Sequence, residues 1–177
     1  MVMRNDLGPQ SSWLSPAAVA RAVGGRVIRT GRPAARVVTD SRDAGRGDLF
    51  VALRGEHFDA HDFVPAALRA GVAGVVFDRP LPDRVPPGDG FLVRVADTGR
   101  ALLDLGTQHR LRHRARVVGV TGSCGKTSTK DMLGHVLSAA MPTVWSPKSF
   151  NNQVGVPLSL LGIRADTQAA VVELGTN

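Results

Sequence analysis

Two glycines, a lysine and hydroxyl residues stand close together in Gly122-Ser123-Cys124-Gly125-Lys126-Thr127-Ser128, directly after the apolar run Val117-Val118-Gly119-Val120. Phosphates carry dense negative charge, and a helix N-terminus offers unpaired N–H donors at the positive end of its dipole. Glycines at 122 and 125 let the backbone close around those oxygens without a Cβ in the way. Lys126 can then reach the β- and γ-phosphates, and the Thr127 hydroxyl can ligate Mg²⁺. The longer form of this phosphate loop carries a further glycine where Val120 stands, so the motif here is the shorter G-x-x-G-K-T form. A strand before it and a helix after it supply the context the motif requires, and nucleoside triphosphate binding is the expected chemistry.

Three other positions could join that chemistry. Glu173 closes the apolar run Ala169–Leu174, and a carboxylate at the carboxyl end of a buried strand in an open α/β sheet can help hold Mg²⁺. Asn151 and Asn152 precede Val154-Gly155-Val156-Pro157, where they serve either a ligand or a helix cap. Cys124 lies inside the loop and reads as a small tolerated side chain rather than a nucleophile. No Ser/His/Asp set and no His/Cys cluster with metal-ligand spacing accompanies it.

The elements that must position these residues can be read from periodicity. Ser15-Pro16 is a cap and first-turn proline for a helix through Val23, stopped at Gly24-Gly25. Strands are expected at Arg26–Ile28, Arg36–Thr39, Asp48–Leu53, up to Phe77 and at Phe91–Val95, with a helix over Val64–Ala70 and a proline-rich surface loop over Pro80–Gly88. Past Asp97 the pattern predicts a helix from Thr98 to His109 and a buried parallel strand at Val117–Val120. It continues with the helix after the loop to about Ala140, a strand at Thr143–Trp145, a helix near Pro157–Leu161 and a buried strand at Ala169–Leu174. The first ten residues read as a loose tail. This is an α/β chain: a small N-terminal α/β domain over residues 1–97, then the first part of a P-loop, mostly parallel-sheet domain over residues 98–177.

Composition narrows the classes. With 43% apolar and 21% charged residues the balance is globular rather than disordered. No apolar run approaches the roughly 20 residues of a membrane span, and no signal-peptide core follows Met1. A single cysteine leaves a reducing cytoplasm as the default compartment. The net charge of +7 rests on 19 arginines against 3 lysines. Its one dense stretch, His109–Arg116, has no interleaved aromatic residues for base stacking, so it reads as a solvated helix end and nucleic acid is not an expected partner.

Taken together, the loop Thr121–Ser128, the segment Ser149-Phe-Asn-Asn-Gln-Val-Gly-Val-Pro-Leu-Ser-Leu-Leu161 and the end Val172-Glu-Leu-Gly-Thr-Asn177 resemble the ATP-dependent Mur ligases of peptidoglycan synthesis. Thr39-Asp40-Ser41-Arg42, Gly47–Gly55 and Asp59–Val64 resemble that family's N-terminal domain, which binds the uridine nucleotide end of the substrate. The resemblance is strongest to the member that joins D-alanyl-D-alanine to UDP-N-acetylmuramoyl-tripeptide. It implies ATP and Mg²⁺ as cofactors, with Lys126 and Thr127 as catalytic residues and Thr127 and Glu173 on the metal. It also implies that Asn151 and Asn152 lie near the muramoyl peptide and that Ser41 and Arg42 face the uridine diphosphate. Many relatives carry asparagine where Ser149 stands. The family's chains continue with a modified lysine, a histidine and a domain for the incoming amine, so this chain is expected to be the N-terminal part of a ligase, monomeric and inactive alone.

Two other readings stay open at this point. One is the family member that adds the third amino acid, although Asn151-Asn152…Gly155-Val156-Pro157 and Glu173-Leu174-Gly175 resemble the dipeptide-adding member more. The other is a nucleotide-binding module without catalysis. A small phosphotransferase lacks an identifiable acid or arginine lid.

Overall fold

A computed structural model describes residues 11–55, 58–81 and 85–175. The expected N-terminal tail and the terminal Thr176 and Asn177 lie outside the described residues. The chain divides into two compact units that meet at Leu102/Leu103.

The first unit is a five-stranded sheet in the order β1-β5-β4-β3-β2. Its strands are β1 (Arg26–Arg29), β2 (Arg36–Val38), β3 (Asp48–Val51), β4 (Gly74–Phe77) and β5 (Phe91–Arg94). β2 to β5 are parallel, and β1 runs antiparallel against β5. Helix α1 (Pro16–Ala22) starts as the sequence suggests, with Ser15 Oγ accepting the Ala18 N–H at 3.4 Å and Pro16 in the first turn. Helix α2 (Val64–Arg69) carries Val64 and Ala67 into a core with Phe50, Val75 and Leu92. Because the sheet is covered, β3 and β4 are buried at every position, and no alternation is visible in Leu49-Phe50-Val51 or Val75-Val76-Phe77.

In the second unit three parallel strands lie in the order β6 (Arg116–Val120), β8 (Ala169–Glu173), β7 (Thr143–Trp145). β8, in the middle, is buried throughout. β6 corrects an expectation: apart from Val120 it is exposed, with Val117 at 36% and Val118 at 40%. It is an edge strand, and among the described residues no strand pairs with its outer side. An apolar run marks a strand, but it does not say on how many sides that strand is covered. Helix α4 (Lys126–Ser138) packs on β7 and β8, and α5 (Gly155–Leu161) packs on β8, starting two residues earlier than expected.

Helix α3 (Thr98–Leu111) spans the division between the units. Ala101, Leu102 and Leu105 are buried along it, as is His109, which the sequence placed on a solvated helix end. His109 Nε2 lies 2.7 Å from the Ile163 carbonyl, a contact the neutral ring makes by donating. Burial pushes its pKa down to about 4 against the pull of that carbonyl, and the nearby charges of His113 and Arg112 push the same way. The unfolded chain, with an ordinary value of 6.5, binds the proton more readily than the folded chain. Stability from this group is therefore complete above pH 6.5 and lost as the pH falls towards 4, by an amount of about 3 kcal/mol. Chemical denaturation at pH 7 and pH 4.5 should show a smaller acid loss in His109→Gln than in the parent; identical losses would remove His109 from the account.

Candidate functional site

The loop between β6 and α4 is built around its glycines. Gly125, the residue before α4, has φ 76°, and Gly122 has φ 138°. Both conformations are ones that a residue with a Cβ rarely adopts, so these two glycines stand where the turn needs them. Lys126 opens α4, and its Nζ donates to the Gly122 carbonyl at 2.5 Å, closing the loop on itself. Ser123, Cys124 and Ser128 are exposed, and the Cys124 thiol is free.

Parallel pairing places Glu173 of β8 opposite Val120, the last residue of β6, beside this loop. Its side chain is 1% exposed. Thr127 Oγ1 donates to Oε2 at 3.0 Å, and Asn151 Nδ2 donates to Oε1 at 2.8 Å. These donors are neutral, and no ion pair to Glu173 is found among the described residues. A buried carboxylate held this way stays short of positive charge, which a bound cation would supply. The Thr127 hydroxyl and the Glu173 carboxylate are hard oxygen donors that suit Mg²⁺, which takes one or two carboxylates and fills its shell with water and substrate phosphate.

The structure therefore brings Thr127, Asn151 and Glu173 together beside the loop. The two asparagines separate in role: Asn152 Oδ1 accepts the N–H groups of Val154 and Gly155 at 3.1 and 2.8 Å, at the entry to α5. Ser41 and Arg42 belong to the other unit, in the turn that follows β2. Arg42 is exposed and grips Asp40, Nε to Oδ1 at 2.9 Å and Nη2 to Oδ2 at 2.5 Å. This grip holds the Asp40 carboxyl below its ordinary range.

Two residues that support the site escape sequence reasoning. Lys130 is fully buried, and its Nζ donates to the carbonyls of Ser146 at 2.8 Å and Lys148 at 2.6 Å, with Asp131 Oδ1 2.9 Å away. Ser146 Oγ in turn accepts the backbone N–H of Glu173 at 3.1 Å. The available signal was spacing. Thr127, Lys130 and Gly134 fall on one helical stripe, and Gly134 lies so close to the Trp145 indole that a Cβ would come within 2.4 Å of it. A lysine in the middle of a stripe that faces the sheet has to find partners there.

Residues 34–110 match the model of the Mur ligase family, catalytic domain, and residues 120–177 match the Mur ligase middle domain. The UDP-N-acetylmuramoyl-tripeptide–D-alanyl-D-alanine ligase of Bacillus subtilis (strain 168) is 42% identical over 139 residues, 78% of this chain and 30% of the relative. The ligase of the same name from Escherichia coli (strain K12) is 42% identical over 141 residues, 80% of this chain and 30% of the relative. The crystal structure of MurF from Acinetobacter baumannii superposes with a TM-score of 0.82 at 38% identity, covering 92% of this chain and 36% of that one. MurF from Thermotoga maritima, crystallised with ADP, gives 0.69 at 33% identity, covering 79% and 32%. The chain thus spans about a third of the length of these relatives. With two family models matched in order, relatives at this identity and a shared fold in both units, the chain belongs to the Mur ligase family.

Proposed function

We propose that the chain is the N-terminal part of an ATP-dependent ligase that joins D-alanyl-D-alanine to UDP-N-acetylmuramoyl-tripeptide in peptidoglycan synthesis. Family members are ATP-dependent ligases, and the observation that carries the reading here is the Thr127–Glu173–Asn151 cluster beside the glycine loop. In this reaction the peptide's terminal carboxylate attacks the γ-phosphorus of ATP and ADP leaves. The amine of D-alanyl-D-alanine then attacks the acyl phosphate carbon and phosphate departs. Transfer of this kind depends on positioning and on neutralising phosphoryl charge. Lys126 exchanges its Gly122 carbonyl for phosphate oxygens, and the loop N–H groups with the start of α4 receive the rest of the charge. Thr127 and Glu173 hold Mg²⁺, which neutralises charge on the phosphates when bound. Asn151 keeps the Glu173 carboxylate oriented and stands on the muramoyl-peptide side, with Asn152 setting the start of α5. In the other unit, Ser41 and Arg42 meet the uridine diphosphate; a guanidinium fork suits a diphosphate, and Asp40 holds it ready.

Calorimetry with UDP-N-acetylmuramoyl-tripeptide tests the reading. Binding should weaken about tenfold in Arg42→Ala, the loss of one charge-assisted contact at an exposed site. Tighter binding of the UDP-muramoyl-dipeptide would move the chain to the member that adds the third amino acid. Absence of binding by a folded chain would favour a nucleotide-binding module.

A further inference from the structure

A second charged region in the first unit is untouched by this chemistry. β3, β4 and β5 are parallel, so the segments that lead into them, around residues 45–47, 69–73 and 86–90, lie along one edge of the sheet. β1 is antiparallel to β5, which brings its last residue, Arg29, to the same edge. There a cavity of about 550 Å³ opens, walled by Arg29, Arg32, Arg46 and Arg69 against a single carboxylate, Asp89. Ser41 and Arg42 follow the opposite end of β2, so the two places are at opposite edges of the sheet.

Neighbouring charges show what is unusual here. Arg36, at the start of β2, is neutralised by Asp48 through two hydrogen bonds of 2.9 and 2.6 Å. Arg32 meets Asp89 at 3.4 Å with both side chains mostly in solvent, a contact that water screens. Arg46 and Arg69 are exposed and carry no hydrogen bond or ion pair among the described residues. Arg29 is pinned by two carbonyls, Nε to Gly90 at 2.6 Å and Nη1 to Pro86 at 3.0 Å, while its buried Nη2 has no partner. A buried donor left unpaired on a guanidinium without a carboxylate is costly, and an anion in the cavity would lower that cost.

We propose that this cavity binds a small phosphorylated molecule. Guanidinium groups match phosphate oxygens in geometry as well as charge. The volume lies within the roughly 300–1,000 Å³ usual for small-molecule sites, and Leu68 and Pro33 give the rest of the ligand an apolar wall. The site is independent of the phosphate loop and of the ligase reading.

Inorganic pyrophosphate is the probe, titrated into the full 177-residue chain at low ionic strength while amide resonances are followed by NMR. The amides of Gly71 and Gly90 should shift and saturate. The midpoint should rise at least about tenfold in Arg46→Gln/Arg69→Gln, whose side chains are exposed and do not hold the fold. The same midpoint should stay unchanged in Lys126→Ala and in Arg42→Ala. Shifts confined to residues 122–127 or 41–42 would overturn the proposal, as would a midpoint unmoved by the double substitution.

Discussion

Lys130→Met should lower the melting temperature by roughly 6–12 °C, equivalent to about 3 kcal/mol of unfolding free energy for a chain of this size. Methionine fills nearly the same volume, so no large cavity opens and the effect isolates the lost polar contacts. The Ser146 carbonyl loses its donor in a place closed to water, and the Lys148 carbonyl loses its own in a partly buried one; an unsatisfied buried group costs about 1–3 kcal/mol. Removing the buried ammonium relieves its desolvation, which offsets part of this. Asp131, 45% exposed, recovers solvation at little cost. The uncompensated carbonyls win because the segment they hold includes Lys148 at φ 50°, a conformation that needs its surroundings to persist. A melting temperature within about 2 °C of the parent would show that the segment is held by other means.

Lys126→Ala should weaken ADP binding by roughly 100-fold, about 3 kcal/mol, while leaving the melting temperature of the unliganded chain in place. The two halves of this expectation come from one contact. Without nucleotide, Lys126 bonds among the described residues only within its own loop, to the Gly122 carbonyl, so its removal does not loosen packing between those elements. With nucleotide, the ammonium exchanges a carbonyl dipole for phosphate charge, and that difference is what alanine forfeits. Calorimetry of parent and variant checks both halves, with a thermal melt alongside; a loss below about threefold would take Lys126 off the phosphates.

These two lysines, one helical turn apart, show what was legible in the sequence. Lys126 could be read because its glycines, the strand before it and the helix after it form a local pattern. Ser15-Pro16, the helix over α2 and the loop glycines were legible for the same reason: each rests on neighbours in the chain. Lys130 was not, because its partners are 16 and 18 residues away and become partners only when β7 folds back against α4. Asn151 and Glu173, 22 residues apart, could be singled out separately, but their hydrogen bond could not. Edge position was equally invisible: Val117 and Val118 look as apolar as Val171 and Val172, yet among the described residues only the second pair lies on a strand with neighbours on both sides. Burial of His109 required Ile163, which lies 54 residues further along the chain.

Helix α3 has a consequence for anyone who wishes to cut the chain into its two units. Where such units meet at a loop, a protease or a pair of primers can separate them cleanly. Here the division at Leu102/Leu103 runs through a continuous helix, from Thr98 to Leu111. A cut there leaves each half with a stub shorter than the roughly 12–15 residues an isolated helix needs in water. Leu102 and Leu105, both buried in the intact chain, would fall on opposite sides of the cut. A dissection that preserves either half must therefore carry the whole of α3 with it, and the other half must do without.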